Sequence, residues 1–280
     1  MYLFRSSTTI TTILITGLAL SACGSSEPGG SGGPSTPSYE AFDSTVNKTS
    51  TLGGVALQSN LTSGAATIVN VDGSFKHDTR AMTVADGAYT LSGTLSAGGI
   101  LADASSTLEI TDDLGPSYEY ITVYEQIYTV NGTNYRMIGI GGVITDTGDM
   151  PTGGTATYTG DAKGQILLGS TDDLENGTST VAVDFSNAKA SVTLTGFDGN
   201  HVIDTVKMLD MSISGNSFSG GTITTEKNGT AVTLTGTGTT SNAQGRFFGY
   251  DSGNSIPDEV GGLVLINGAN GTIFVGFAAD

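Results

Sequence analysis

The sequence predicts an all-β protein. Three observations support this fold class: 42 glycines in 280 residues, a charged fraction of only 13%, and frequent runs of Thr, Val and Ile. β-Branched side chains fit a pleated strand, and glycine adopts the positive φ angles that tight turns need. Because 37% of the residues are hydrophobic, the chain can bury a core, and we expect many short strands joined by turns.

The first 38 residues are predicted to be an export signal, a lipid attachment site and a linker. Arg5 precedes an apolar stretch, residues 10–22, that is too short and too interrupted for a membrane span. Leu20-Ser21-Ala22-Cys23-Gly24 resembles a bacterial lipobox, and Cys23 is the only cysteine. The resemblance implies cleavage after residue 22 and lipidation of Cys23, with residues 23–38 as a flexible Gly/Ser/Pro linker. The alternative is an ordinary cleaved signal with an incidental cysteine.

Within residues 39–147, the segment 117–130 has the clearest alternation of a strand. Its tyrosines are expected on one face and its aliphatic residues on the other. Asn131-Gly132 predicts a two-residue hairpin turn, and residues 135–143 are the expected returning strand. Two interpretations of the tyrosine face are open: stacking of a ligand, and packing against a second sheet, which we favour. The tyrosines, which are the candidate binding residues, are Tyr118, Tyr120, Tyr124 and Tyr128, and the aliphatic residues are Ile121, Val123 and Ile127.

A cluster of turn-forming residues at 145–154, interrupted by Pro151, predicts a domain boundary. About eight strands are expected beyond it, a number that can close into a small antiparallel barrel filled by side chains. The expected strands are 155–160, 164–169, 178–185, 190–196, 209–214, a Thr/Gly-rich strand ending at 246–249, 260–266 and 272–278.

Several short segments of this second half are informative when they are taken together and in order. Met150–Gly160 comes first, followed by 183–187 and 213–220, and then G-R-F-F-G at 245–249, D-E-V-G-G at 258–262 and a Gly/Phe-rich segment at 271–277. Together they resemble the β-barrel domain of transferrin-binding protein B and its lipoprotein relatives. The resemblance implies a C-terminal eight-stranded antiparallel β-barrel at 148–280, preceded by a smaller β-rich, handle-like domain at 39–147.

Large side chains of the second half are expected to fill the barrel. Glycines beside four phenylalanines would let a bent wall place their rings inside, in the same interior as Val183. Glu259 precedes Gly261-Gly262 at a turn that enters a strand, and is expected to specify the fold rather than to contact a ligand. The four phenylalanines are Phe247, Phe248, Phe274 and Phe277.

The residues that catalysis and metal binding require are sparse. His77 and His201 lie far apart, outside any zinc-binding motif, and are expected in solvated turns. The acidic clusters Asp112-Asp113 and Asp172-Asp173-Glu175 lack the alternating spacing of a calcium loop, so solvated turns are expected there too. We therefore predict no enzyme, no catalytic residue, no cofactor and no metal.

The net charge of −17 argues against nucleic acid, because no basic stripe is present to neutralise phosphates. A basic protein or a cation would be attracted, although acidity is also a common route to solubility, which is the favoured explanation.

The family resemblance implies a non-enzymatic binding lipoprotein of the outer membrane. By this resemblance it captures a host or environmental protein, or an iron-, haem- or metal-bearing ligand, for a membrane transporter. Its expected partners are the membrane through the N-terminal lipid, the ligand, and an outer-membrane transporter. Two alternatives stay open: a surface adhesin or protective interaction protein on the same fold, and a hydrolase with dispersed carboxylates. The ligand, the membrane leaflet and exposure at the cell surface are left open by the sequence.

Overall fold

The computed structural model describes residues 39–111, 114, 118–168, 171–197, 203–234, 240–269 and 271–280, with only the backbone of 168 and 171–174. All 18 elements found in these residues are β-strands, which confirms the all-β prediction. The described part has no helix with the length and hydropathy to cross a membrane. The predicted signal, Cys23, the linker, Asp112, Asp113 and His201 lie outside the described residues, as do the side chains of Asp172 and Asp173.

Eight antiparallel strands form the first sheet, which we call the handle sheet. They are β1 (Thr49–Asn60), β2 (Ala66–Lys76), β3 (Ala81–Ala85), β4 (Thr90–Thr94), β5 (Ile100–Ala102), β6 (Ser106–Thr111), β7 (Ile121–Val130) and β8 (Thr133–Val143). The strand order is β4-β3-β2-β1-β8-β7-β6-β5. The chain therefore moves outward from β1, and β8 returns to pair with β1 in a register that places Val55 opposite Ile140.

The hairpin between β7 and β8 confirms the prediction made from Asn131-Gly132. Both residues have positive φ angles, 50° and 77°, and Val130 pairs with Thr133 across the turn. The start of the strand was wrong, because β7 begins at Ile121. Tyr118 and Tyr120 therefore precede the strand on which four tyrosines were expected to share a face.

Ten strands form the second sheet. They are β9 (Thr155–Leu168), β10 (Thr171–Asp184), β11 (Lys189–Thr195), β12 (Thr205–Ser214), β13 (Ser217–Ser219), β14 (Thr222–Lys227), β15 (Thr230–Val232), β16 (Thr240–Phe248), β17 (Glu259–Gly268) and β18 (Gly271–Ala279). Eight of them close a ring in the order β9-β10-β11-β12-β13-β16-β17-β18, and β18 pairs back onto β9. This ring, which we call the barrel, confirms the predicted eight-stranded antiparallel barrel.

The strands that make up the barrel differ from the expected ones in several places: β13 was not expected, and β10 and β12 begin earlier than expected. The segments 155–160 and 164–169 were expected as two strands, but residues 155–168 form one strand, β9. The hairpin β14–β15 is a branch outside the ring: β12 pairs with β14 along residues 205–209 and with β13 along 212–214.

The barrel interior contains only half of the phenylalanine rings expected there. Phe247 and Phe277 lie in the interior cluster with Val183, as predicted. The prediction was wrong for Phe248 and Phe274, which belong to a second cluster on the outer wall of the barrel. The reason is the two-residue period of a strand, which places neighbours such as Phe247 and Phe248 on opposite faces.

The chain changes from one sheet to the other between Val143 and Thr155. Tyr39 holds this connection: its hydroxyl donates to Asp149 Oδ2 at 2.7 Å and accepts from the Asp146 N–H at 2.7 Å. A division into domains at 39–147 and 148–280 stays a prediction.

Candidate binding surface and the handle–barrel junction

One face of the handle sheet packs on the outer wall of the barrel. Val55, Ile121 and Ile140 from the handle sheet are buried with Phe248 and Leu263 from the barrel. Leu263 and Ile140 meet above Gly276, where a Cβ atom would lie 3.1 Å from Ile140 Cδ1 and 3.2 Å from Leu263 Cδ2. We call this contact the junction, and its apolar centre excludes water from the polar groups around it.

Hydrogen bonds surround the apolar centre of the junction. Tyr118 donates its hydroxyl to the Ala278 carbonyl at 2.9 Å, and Thr145 donates to the Gly249 carbonyl at 2.7 Å. On the other side, Arg246 of the barrel lies 3.2 Å from a carboxylate oxygen of Asp72 in the handle sheet. The two sheets are therefore joined by directional contacts as well as by apolar burial.

The most concentrated polar contact of the junction is made by Glu259, the first residue of β17. Its side chain accepts three consecutive backbone N–H groups, from Glu119 at 2.6 Å, Tyr120 at 3.1 Å and Ile121 at 2.9 Å. The residue is only 2% exposed, and burial is the main cause that raises its pKa to about 7. The expectation that Glu259 acts in folding agrees with these contacts, but its partner is the handle sheet rather than its own turn.

Beyond the barrel, the same face of the handle sheet is open to solvent and mixes apolar and charged side chains. Glu109 and Glu125 are directly opposite each other on β6 and β7. Glu125 is partly compensated by Arg136, whose Nε lies 2.6 Å from its Oε1, whereas Glu109 has no ion-pair partner among the described residues. Like charges that face each other across two strands destabilise a sheet, so the stability of the fold does not explain why these two glutamates are paired.

Exposed aliphatic side chains surround the two glutamates. Ile127, the cross-strand partner of Arg136, is 50% exposed, and Ile100, the partner of Glu109, is 44% exposed. Leu61, beside Asn134 near the start of β8, is also exposed. We call this surface the handle face; it consists of Leu61, Ile100, Glu109, Glu125, Ile127 and Arg136.

The four candidate tyrosines lie in two separate environments. Tyr124 and Tyr128 are buried inside the handle sheet, where Tyr128 stacks between Tyr89 and Tyr135 with ring centroids 5.2 and 5.3 Å away. Tyr120 packs at the junction and Tyr118 bonds to the barrel. These positions agree with the packing interpretation, whereas their use in ligand stacking stays a prediction.

Two polar residues expected in solvated turns are buried in the structure. His77 is 1% exposed, its Nε2 lies 2.8 Å from Ser50 Oγ, and Phe75 contacts its ring edge-on. Burial is the main cause that lowers its pKa. Glu175 is buried within β10, and the backbone of its acidic neighbours belongs to the same strand. His77 does lie in the turn between β2 and β3, so only its expected exposure was wrong, whereas Glu175 lies in a strand and not in a turn.

The described residues contain no group of three or more His, Cys, Asp or Glu side chains placed to hold a metal ion. A cleft of about 770 Å³ lies beside the junction, with Arg80, Ile110, Tyr118 and Glu119 in its walls. Its lining includes Leu114, whose neighbours in the sequence lie outside the described residues, so we assign no role to this cleft.

The handle face was missed by the sequence reasoning. The alternation that placed Ile127 with Ile121 and Val123 on one face was correct. The exposure of one end of this face was not predicted: the barrel covers Ile121 and Val123 and ends before Ile127. The charged residues Glu125 and Arg136 were a usable signal, since a fully covered face rarely contains them.

Comparisons with known proteins agree on the barrel. Residues 150–280 match the family model described as the C-lobe and N-lobe beta barrels of Tf-binding protein B. The solved structure of intact Ap-TbpB, with N and C lobes, is 21% identical at a TM-score of 0.50. A transferrin-binding protein B variant from Haemophilus parasuis Hp5 is 16% identical at the same TM-score.

These similarities concern the fold. The alignments cover 81% of this chain and 46% and 45% of the two solved chains, so the chain spans about half the length of the proteins it matches. A comparison with curated protein sequences finds no match. Residues 150–280 are thus similar to the β-barrel of the transferrin-binding protein B family, and the fold of the chain resembles that of the two solved proteins.

Proposed function

We propose that this protein is a lipid-anchored, non-enzymatic binding protein of the outer membrane. It captures a protein ligand, or another iron-, haem- or metal-bearing ligand, and presents it to a membrane transporter. The observation that carries the proposal is the family match of residues 150–280. The solved relatives are transferrin-binding proteins by name, and their ligand makes an iron-carrier protein the first candidate for this chain.

The handle face supports a protein as the ligand. Exposed Ile100 and Ile127 provide apolar contact area, and the adjacent Glu109 and Glu125 provide negative charge. Such a surface suits a partner that brings a Lys or Arg beside aliphatic side chains, because the cation would relieve the repulsion between the two glutamates. The net charge of −17 favours the same class of partner through long-range attraction.

The predicted lipid on Cys23 would place this binder at a membrane surface. Residues 23–38 are 16 residues, which span at most about 55 Å when fully extended. That length allows the folded part to meet a transporter in the same membrane, and the tether raises the effective concentration of a captured ligand near it. Replacement of Cys23 by Ser, followed by membrane fractionation, tests the anchor: the variant is expected in the soluble fraction.

Direct binding tests the proposal. The purified protein is assayed against iron-loaded transferrin and haem, and a deletion strain is grown under iron limitation. We expect binding to one of these probes and a growth defect. The absence of both would remove the uptake function and favour the adhesin interpretation.

A matched pair of variants tests the binding surface. The double variant Glu109→Lys with Ile127→Lys should weaken binding at least tenfold, because it reverses one charge and places a second cation on the apolar contact. Leu209→Lys is the control, since Leu209 is an exposed aliphatic residue on β12, outside the handle face. Equal effects of the two changes would argue against the handle face as the site.

A further inference from the structure

Glu259 is a buried carboxyl group that the binding proposal does not use. It lies on the barrel, yet all three of its backbone donors belong to the segment that leads into β7 of the handle sheet. When the handle sheet separates from the barrel at this point, the carboxyl group loses its donors and becomes exposed to water. The protonation of Glu259 is therefore coupled to the contact between the two sheets.

The charged groups around Glu259 oppose a negative charge on its side chain. The negative charge of its neighbour Asp258 helps to raise the pKa of Glu259. The pKa of Asp258 is itself raised, by burial and by three negative charges: Asp251 from the β16–β17 connection, Glu119 from the handle side and Asp280 from the C-terminus. From the N-terminal segment, the negative charge of Glu40 adds to the burial that raises the pKa of the adjacent Tyr120. The charges that act on Glu259, Asp258 and Tyr120 are thus all carboxylates, and Arg246, a cation on β16, is engaged with Asp72.

Two physical effects compete at this site. The three N–H donors favour the carboxylate, whereas burial and the neighbouring charges favour the neutral acid. Burial is the largest of these effects, and the pKa is raised from 4.5 to about 7. The neutral acid can keep the contacts, because its carbonyl oxygen accepts two N–H groups and its hydroxyl oxygen retains a lone pair for the third.

We propose that the handle sheet and the barrel close on each other with uptake of a proton by Glu259, so that acid tightens the junction and alkali loosens it. The direction follows from linkage. A group that holds its proton more tightly in the closed junction than in the open one favours closure as the pH falls. With the ordinary and raised pKa values of Glu259, 4.5 and about 7, closure is favoured roughly 30-fold more at pH 5.5 than at pH 8.

Hydrogen exchange of the three donor amides measures this effect. The full-length protein is exchanged at pH 5.5 and at pH 8, and protection factors are corrected for the intrinsic rate at each pH. The amides of Glu119, Tyr120 and Ile121 should be about 10- to 30-fold better protected at pH 5.5. Amides in the barrel interior, such as those of Val181 and Val192, should change much less.

Two variants identify the titrating group. Glu259→Gln keeps a side-chain carbonyl without a titrating proton, and its protection should be independent of pH in this range. Asp258→Asn removes the neighbouring charge, and the midpoint of the pH dependence should fall. Protection that is equal at both pH values, or higher at pH 8, would show that the N–H donors keep Glu259 ionised. That result, or a pH dependence that persists in Glu259→Gln, overturns the proposal, and the wild-type result decides it even if a variant does not fold.

Discussion

At the scale of single residues, Gly249 shows how closely the two sheets approach. It follows β16 with a φ angle of 58°, in the left-handed region that is costly for residues with a Cβ atom. A Cβ atom at this position would also overlap the ring of Tyr120. The G-R-F-F-G segment at 245–249 thus ends in a glycine that both the turn and the neighbouring sheet require.

Gly249→Ala is expected to destabilise the protein by about 2–5 kcal/mol, the sum of left-handed strain and overpacking. Gly132→Ala is the matched control, because Gly132 also has a positive φ angle, 77°, but a Cβ atom there would meet no other atom within 4 Å. It should cost only about 1–2 kcal/mol. Urea unfolding measures the loss in free energy of unfolding for both variants. Equal losses would show that overlap with Tyr120 does not add to the cost at Gly249.

At the scale of single elements, the barrel depends on β13, a strand of three residues. β13 pairs with β12 through Ile213 and Phe218, and with β16 through Phe218 and Gly245. Phe218 is 1% exposed and its ring covers Gly245, with the Phe247 ring centroid 5.2 Å away. This one side chain therefore fills the interior beside the shortest strand of the ring.

Phe218→Ala is therefore expected to cost about 3–5 kcal/mol, the range for a buried aromatic residue replaced by Ala. Hydrogen exchange should increase along β16, at the amides of residues 243–247. Leu209→Ala, at an exposed position of β12, is expected to stay within about 0.5 kcal/mol of the unchanged protein. A barrel that tolerates Phe218→Ala as well as Leu209→Ala would not depend on β13 for closure.

The sequence predicts the strands better than it predicts their ends and their exposure. Asn131-Gly132 identified its hairpin because this turn needs a positive φ angle at both of its residues, and few residue types tolerate one. The expected break in β9 was wrong because glycine has two uses: Gly164 allows the close approach of Phe274 and Val275 of β18 and makes no turn. Local sequence does not distinguish these uses, since the second depends on a strand more than 100 residues away.

The same limit applies to the candidate site. The period of two placed Ile127 on the correct face of β7, but the extent of the barrel that covers this face is a property of tertiary packing. The sequence predicted that Glu259 specifies the fold, but not its partners, because the donors are about 140 residues away in the sequence.

At the scale of the whole molecule, Glu259 makes stability depend on pH. Its pKa in the folded protein, about 7, is above the ordinary value of 4.5, so the folded state binds more protons than the unfolded state between these values. Its contribution is fully present below about pH 4.5 and is lost as the pH rises through 7. We expect this group to lower the free energy of unfolding by up to about 3 kcal/mol over that range.

Urea unfolding at several pH values measures this loss, and Glu259→Gln provides the reference. The difference in pH dependence between the two proteins isolates Glu259 from the many exposed carboxylates. An identical pH dependence in both would mean that Glu259 does not take up a proton on folding.

The central claim is that the outer wall of the barrel, β16–β18, carries the handle sheet through a specific apolar contact. Nuclear Overhauser effects test it most directly, in protein with labelled Ile, Leu, Val and Ala methyls and with protonated Phe rings. We predict a cross-peak between Ile140 and Leu263, which meet above Gly276, and one between the Ala162 methyl and the Phe277 ring inside the barrel. A folded protein that shows the Ala162–Phe277 peak without the Ile140–Leu263 peak would contradict the junction on which the proposed coupling depends.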